Sequence, residues 1–563
     1  MDTNRILLEI LNRRGIKGEA EINEFLSRSP KTTYDPFLLS DMEEGVDLIL
    51  NAVNNEKKIC IYGDYDADGI TSISILKTIL DKLTDKAIYF IPDRFEDGYG
   101  LNKNCIQRLK NEGTDLIVTV DCGITAIDEV EFCKSIDMEI IITDHHNVEG
   151  CKPDCLVINP KRDDCKYPFK YLAGCGVAFK LFQGIQRRAN LDRNIIREVL
   201  DIVAIGTVGD IMPLIDENRT LVKFGLYEIN KNRRVGIKKL REKLMANKEM
   251  ITSQDISFVF VPHLNAAGRI ANAGMGVELF LTKDEKRAER IANELIELNK
   301  IRKEKQEELY SICREEYHRK YETKKFPIIK LRDAHEGITG IVAGKMKDYA
   351  KKPVAIVTEE RHTGFIKGTS RSLEGIDIFN VLNDMKYFFE KFGGHKRACG
   401  FSMKAENYED FVREIDKQMD QLSTDAFSEK LEYDLKLSIG EVELQLVKDL
   451  EILEPHGEGN PAPIFAFENC IVENITYIGQ NDEHAKMSVI DEKNVAVNLK
   501  YNDVKMQKNV VNNPIDCIIF NVSDDVKKYI ESHNKISIMG KCTINRWKNR
   551  ENMQILVENV DIY

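Results

Sequence analysis

Four short apolar runs constrain this chain more than any other feature of it. Residues 59–62, 87–91, 116–120 and 139–143 each stop on a polar cluster, and helix-forming segments lie between them. Strand-like runs alternating with helical ones at this spacing predict βαβ units and a parallel sheet. In open sheets of that kind, ligands bind beyond the carboxyl ends of the strands. The first run leads into Asp64, Asp66 and Asp68, and the second into Pro92-Asp93-Arg94 and then Asp97-Gly98-Tyr99-Gly100. The third leads into Asp121-Cys122-Gly123 and the fourth into Asp144-His145-His146. A chance arrangement would scatter such residues to both ends of the sheet. Their gathering at one edge marks that edge as the active site.

The densest cluster follows the first run, and an apolar-periodic helix is expected after it from Ile70 to Leu83. Three carboxylates at alternate positions repel one another strongly unless cations neutralise them. A solvated acidic turn is the plain alternative, because Asp and Gly are common turn formers. The clusters downstream weigh against it. A further apolar segment, expected as a helix from Ile196 to Ile205, runs on to Gly206-Thr-Val-Gly-Asp210. One aspartate before a turn says little alone, but as the fifth member of a converging set Asp210 becomes a candidate ligand. Carboxylates with one or two imidazoles and no thiolate favour manganese or magnesium over zinc or copper. Six candidate groups exceed what one hydrated ion uses. Two divalent cations sharing a bridging carboxylate are therefore expected, an arrangement suited to phosphodiester hydrolysis.

Composition sets the wider bounds. At 563 residues, 42% hydrophobic and 31% charged, the chain is a globular protein of two to four domains. No run approaches 18 apolar residues and the first residues lack a secretory layout, so the expected location is the cytoplasm. Thirteen scattered cysteines without a Cys-x-x-Cys pair argue for incidental reduced thiols. A net charge of −12 excludes an indiscriminate nucleic-acid coat but not an enzyme with one basic groove. Lys231 to Lys248, with eight basic residues against one acid, is a candidate backbone-contacting face or a solvated helix surface.

Beyond a charged helical stretch from Leu279 to Lys325, two glycine-containing turns are expected to present polar groups. They are Gly368-Thr-Ser-Arg371-Ser372 and Gly393-Gly-His395-Lys396. Glycine lets backbone approach a phosphate, while Arg and His supply charge. After residues 455–463, short alternating strands continue to Tyr563 and read as a small barrel. Tyr501, Trp547, Lys541 and Arg546 are aromatic and basic residues of it.

The metal motifs in this order resemble the DHH phosphoesterase superfamily, named for Asp144-His145-His146. Within it the chain is similar to the branch of single-strand-specific 5′→3′ DNA exonucleases. The residues carrying that likeness are Leu264-Asn-Ala-Ala-Gly-Arg269, His335-Glu-Gly-Ile-Thr-Gly-Ile341, Gly393-Gly-His-Lys396 and Pro455-His-Gly-Glu-Gly-Asn-Pro461. The resemblance implies an α/β chain with an N-terminal helical extension (1–50), a parallel-sheet DHH domain (51–278) and a long connecting helix (279–325). A smaller α/β DHHA1 domain (326–425) and a C-terminal OB-type β-barrel (426–563) complete it. As an oligonucleotide-binding fold implied by this resemblance, the barrel makes Tyr501, Trp547, Lys541 and Arg546 candidates for binding a single strand.

Carried over by position, Asp66 and Asp121 hold one Mn2+ or Mg2+ ion, and Asp68, Asp121, His145 and Asp210 the other. Asp64 and His146 support them. Arg94, Arg269, Thr369, Arg371 and His395 bind substrate phosphates, including the 5′ end. Where pyrophosphatase relatives place a histidine, this chain has Tyr62, so the first ion has a thinner protein shell. Where branch members commonly carry Arg and Ser, it has His263 and Thr369. The implied activity is metal-dependent 5′→3′ removal of 5′ mononucleotides from single-stranded DNA in recombination and repair. The expected enzyme is a monomer without a membrane partner, working beside a single-strand-binding protein and a helicase. The alternative is a relative acting on short oligonucleotides or cyclic dinucleotides, which would need no barrel. A catalytically dead DNA-binding relative would not keep Asp66, Asp68, Asp121, His145 and Asp210 together.

Overall fold

A computed structural model of the chain describes residues 3–27, 29–94, 96–98, 100–148, 150–332, 334–359, 364–428, 432–479, 482–491, 514–547 and 550–560. The expected strand and helix alternation is present. Strands β1 (Ile59–Gly63), β2 (Ala87–Phe90), β3 (Leu116–Val120), β4 (Glu139–Thr143) and β5 (Leu156–Ile158) form a parallel sheet in the order β2-β1-β3-β4-β5. β1 and β3 are buried at every position, as strands covered on both faces must be. Helices α1 (Thr3–Arg13) and α2 (Glu19–Leu26) precede the sheet, and α3 (Met42–Asn54) and α4 (Ala67–Leu80) flank β1 in sequence. One face of the sheet packs on α3 and α4 together with α7 (Gly174–Arg188) and α8 (Leu200–Gly209). The other face is covered by α5 (Lys103–Asn111) and α6 (Ile127–Ser135).

α4 opens three residues before the expected Ile70 because Asp66 caps it, accepting hydrogen bonds from the backbone N–H groups of Asp68 and Gly69. The segment expected as a helix from Ile196 to Ile205 splits instead. A 3₁₀ turn, Arg193–Glu198, starts on the side chain of Asp192, and the buried α8 begins only at Leu200. α9 (Asp216–Asn230) and α10 (Val235–Leu244) complete the helical half of this domain, and the 32-residue helix Glu285–Glu316 leaves it.

The second sheet contains β6 (Ile328–Arg332), β7 (Val354–Glu359), β8 (Phe365–Arg371), β9 (Phe389–His395) and β10 (Ala398–Lys404), in the order β6-β7-β8-β10-β9. Here one expectation fails. The segments around Gly368 and Gly393 are strand residues, not turns. Thr369 pairs with Gly400, which pairs on its other side with Gly393. Glycine here makes room rather than reversing the chain: the Phe401 ring fills the place a side chain at Gly368 would take, while the space over Gly393 is open.

The third sheet, β11 (Leu435–Lys436), β12 (Phe465–Ile478), β13 (His484–Asp491), β14 (Ile515–Ile519), β15 (Lys535–Trp547) and β16 (Arg550–Val560), is closed by pairing of β12 with β15. α1 is built into this barrel: Ile6, Leu7, Ile10 and Leu11 are buried in the same cluster as Phe465, Phe467 and Ile538. Arg14 donates to Asp434 and Asn460 and clamps the join. The segment 453–460 ties barrel to catalytic half. Buried Arg219 donates to the carbonyls of Leu453, Glu454 and Pro455, and Leu214 N–H to that of Glu458. Among the described residues no helix is long and apolar enough to cross a membrane.

Candidate active site

The carboxyl edge of the first sheet holds the acids and imidazoles that the strand ends predict, and the local backbone explains how. Asp121 follows β3 with a left-handed φ of 60°, a conformation Asp tolerates better than most residues. This turns its carboxylate toward α7, where a side chain at Gly174 would come within 2.6 Å of it. Gly174 is required by that approach. The N–H groups of Gly174 and Cys175 donate to the two oxygens of Asp68 at 2.7 and 2.8 Å. The start of α7 thus fixes one acid and makes room for another.

Among the described residues three groups of potential ligand atoms lie within 4.8 Å of one another: Asp64, Asp66 and Asp121; Asp68, His145 and Asp210; and Asp121, His145 and His146. His145 Nε2 is 3.1 Å from Asp121 Oδ1, 3.5 Å from Asp210 Oδ2 and 3.8 Å from Asp68 Oδ2, which joins the first two groups. Asp210 ends α8, and Ile211 beyond it has φ of 56° and is 68% exposed. Left-handed backbone is costly for a β-branched residue, and such strain is held where the surrounding structure enforces it.

The electrostatics of this cluster are unbalanced. Burial first, with neighbouring carboxylates adding to it, pushes Asp64, Asp68 and Asp121 above the usual carboxylate range and Asp210 up to about 9. Burial holds His145 down to about 4. Asp121 Oδ1, Asp210 Oδ2 and both nitrogens of His145 are buried and make no hydrogen bond among the described residues. Buried polar atoms are ordinarily hydrogen-bonded, so orphans concentrated in one spot mark a place for something else. Hard oxygen donors with a neutral imidazole fit a divalent cation of the magnesium or manganese kind.

Asp144 stands apart. It accepts from the N–H groups of Ile124, His145 and His146 and bonds His146 Nδ1 at 2.7 Å. Burial opposes its charge, but the His146 contact outweighs it and holds the carboxyl at about 2; the same contact raises His146 to about 9 against burial. Asp144 therefore orients the His146 ring and fixes the backbone at His145. Tyr62 lies away from the cluster, with its hydroxyl donating to Gly100 O.

Arg94 sits 4.9 Å over the Tyr65 ring. Arg269 donates to Gly337 O of the second α/β domain at 2.7 Å; burial, then the charges of Arg94 and Arg302, bring it down to about 10. Neither arginine has a carboxylate at ion-pair distance among the described residues, although the charge of Arg94 reaches Asp64 and that of Asp66 reaches Arg269. In the second sheet, Arg371 donates to Thr369 Oγ1 and Ser370 O. Arg371 and His395 flank Ala398 on opposite sides in register, about 10 Å apart by strand spacing. They share a level of the sheet.

Several contributors escape sequence reasoning. Asn265 Oδ1 accepts from Ala67 N–H at 2.7 Å, so the Leu264–Arg269 motif caps the helix that carries Asp68. A side chain at Gly268 would strike Tyr65 O at 2.4 Å. Half-buried Lys161 places its charge near Asp210 and Asp144. The basic run is no free face. Lys231 and Arg233 pair with Glu228, Arg234 with Asp201, Lys238 and Lys239 with Glu242 and Glu285, Lys243 with Glu289 and Lys248 with Asp255. In the barrel, Lys541 pairs with Glu558, and Arg546 with Glu451 and Glu551. Tyr501 and the Trp547 side chain lie outside the described residues.

A parallel sheet whose strand ends pool aspartates and a His-His pair defines a DHH-type phosphoesterase centre, and comparison with known proteins agrees. The model of the DHH family, N-terminal domain, matches residues 58–207, that of the DHHA1 domain 324–421 and that of the RecJ OB domain 433–559. The single-stranded-DNA-specific exonuclease RecJ of Bacillus subtilis is 32% identical over 99% of this chain and 68% of its own length. That of Haemophilus influenzae is 32% identical over 99% and 96%. The structure of Thermus thermophilus RecJ in complex with Mn2+ superposes with a TM-score of 0.81 at 26% identity, covering 99% of this chain and 76% of that one. The chain belongs to the RecJ family.

Proposed function

We propose that the chain is a single-strand-specific DNA exonuclease that removes mononucleotides from the 5′ end and acts in recombination and repair. The observation that carries this is the set of buried, unbonded donor atoms of Asp121, His145 and Asp210, pooled with Asp64, Asp66 and Asp68 beside arginines that have no carboxylate at ion-pair distance among the described residues. Membership in the RecJ family and the Mn2+ complex of a relative support the same reading. We assign Asp66 and Asp121 to one divalent ion and Asp68, Asp121, His145 and Asp210 to a second. When bound, the ions supply the Lewis acidity that activates water and offsets charge on the leaving oxygen. Asp64 and His146 steady the ligands, and Asp144 keeps His146 protonated to face a phosphate. Arg94 and Arg269 hold the strand near the ions, and Thr369, Arg371 and His395 take the 5′ phosphate, which a strand interior does not offer. We keep the five-part domain division of residues 1–50, 51–278, 279–325, 326–425 and 426–563, a cytoplasmic monomer, and a single-strand-binding protein and helicase as partners.

Digestion of single strands labelled at either end, with manganese, tests this beside Asp121→Ala. Mononucleotides should leave from the 5′ end only, and the variant should lose at least about a thousandfold in rate, as expected when a ligand shared by two ions is removed. Internal cuts, or equal attack at both ends, would overturn it.

A further inference from the structure

Arg302, on the long helix Glu285–Glu316, belongs to none of the motifs above, and its guanidinium is held by neutral side chains of its own helix. A single directed chain of hydrogen bonds fixes it. His263 Nδ1 donates to Val259 O at 2.6 Å, which leaves Nε2 as acceptor for Asn299 Nδ2 at 3.0 Å. The Asn299 amide is thereby turned so that Oδ1 accepts from Arg302 Nε at 2.9 Å, and Arg302 Nη1 donates to Gln306 Oε1 at 2.9 Å. His263, Asn299 and Gln306 are all buried, while Arg302 is half-buried. Two of its five donors are used on neutral partners.

Among the described residues the other cations of this helix divide: Lys286, Lys303 and Lys305 are exposed without an ion pair, and three more are paired. Arg287 pairs with Glu278, Arg290 with Glu294 and Lys300 with Glu297. Arg302 has no acid partner among the described residues. It also stands close enough to Arg269 for the two charges to oppose each other. Aiming a guanidinium so firmly, beside another cation and without a counter-charge, costs stability unless an anion arrives. In a chain with 93 acidic residues a counter-charge was readily available.

We propose that Arg302 is a further strand-binding residue, holding a backbone phosphate between the two α/β domains outside the ion-binding cluster, with His263 and Asn299 as the positioning residues that aim it. This rests on the nuclease reading above. It also accounts for His263, which orients an arginine and need not touch DNA itself.

The test measures binding of a 3′-labelled, 5′-phosphorylated oligo(dT) of about 20 nucleotides to the full chain across a salt series, with steady-state degradation alongside. Arg302→Ala should reduce the slope of log affinity against log salt by about one and raise KM roughly tenfold, with kcat falling less than about twofold. Asn299→Leu and His263→Phe keep the charge but loosen its aim, so KM should rise with the slope unchanged. If Arg302→Ala destabilises the fold, Arg302→Lys serves in its place: retained slope with raised KM is expected. An unmodified chain that degrades 5′ ends while Arg302→Ala leaves slope and KM alone would overturn the Arg302 assignment only. An unmodified chain that neither binds nor degrades single strands would remove the nuclease reading beneath it.

Discussion

The surface around α10 and the junction of the two α/β domains both concentrate basic side chains, and they use them in opposite ways. On the surface, seven of the eight cations from Lys231 to Lys248 meet a carboxylate, mostly one borne by another element, such as Asp201 of α8 or Glu285 and Glu289 of the long helix. At the junction, Arg94, Arg269 and Arg302 meet an aromatic face, a backbone carbonyl and neutral amides. The denser run in sequence is thus the one already neutralised. The scattered arginines, from three distant segments, are those left with charge to offer. A cation is functional by what it lacks nearby in space, which a count along the chain does not register.

If that contrast is right, substitutions in the two regions dissociate activity from stability. The largest effect should come from Arg269→Ala. We expect kcat/KM on single strands to fall about 100-fold or more, the equivalent of roughly 3 kcal/mol, with the urea midpoint little changed. A large loss of stability with binding intact would break the comparison. Arg234→Ala should do the reverse. Its fork joins Asp201 and the Phe280 carbonyl in a largely buried setting, so removal should cost about 2–4 kcal/mol in urea unfolding while DNA affinity stays within about twofold. Arg371→Lys retains charge but loses the planar fork. Roughly a tenfold loss is expected, greater for 5′-phosphorylated than for 5′-hydroxyl ends, and equal losses on both would detach Arg371 from the strand end. Smallest of all, the triple change Lys238→Ala, Lys239→Ala and Lys243→Ala should shift oligonucleotide affinity by less than about twofold, because these exposed pairs are screened and already satisfied.

The sequence was most readable where the physics is local. An apolar run must be a strand or a buried helix, and an aspartate at its carboxyl end lies at the sheet edge. Asp64, Asp121 and His145 were accessible on that ground. β5 was not, since Leu156–Ile158 offers only three residues of pattern. The glycine segments at 368 and 393 carried turn-like composition, yet β10 lies between them and recruits both as strands. Contacts across long separations were invisible. Asn265 caps a helix 198 positions away, and the carboxylates neutralising α10 come mostly from outside the run. The His263 side chain read as a departure from an arginine pattern; only its neighbours Val259 and Asn299 explain it.

The seating of α1 in the C-terminal barrel has a consequence for biosynthesis. Arg14 binds Asp434 and Asn460, which the ribosome reaches 420 and 446 residues later. At roughly 5–20 residues per second, Ile6, Leu7, Ile10 and Leu11 wait on the order of half a minute or more for the surface that hides them. Throughout that interval the nascent chain carries an uncovered greasy stripe at its leading end, a natural handhold for the cell's folding helpers and a hazard wherever translation stalls.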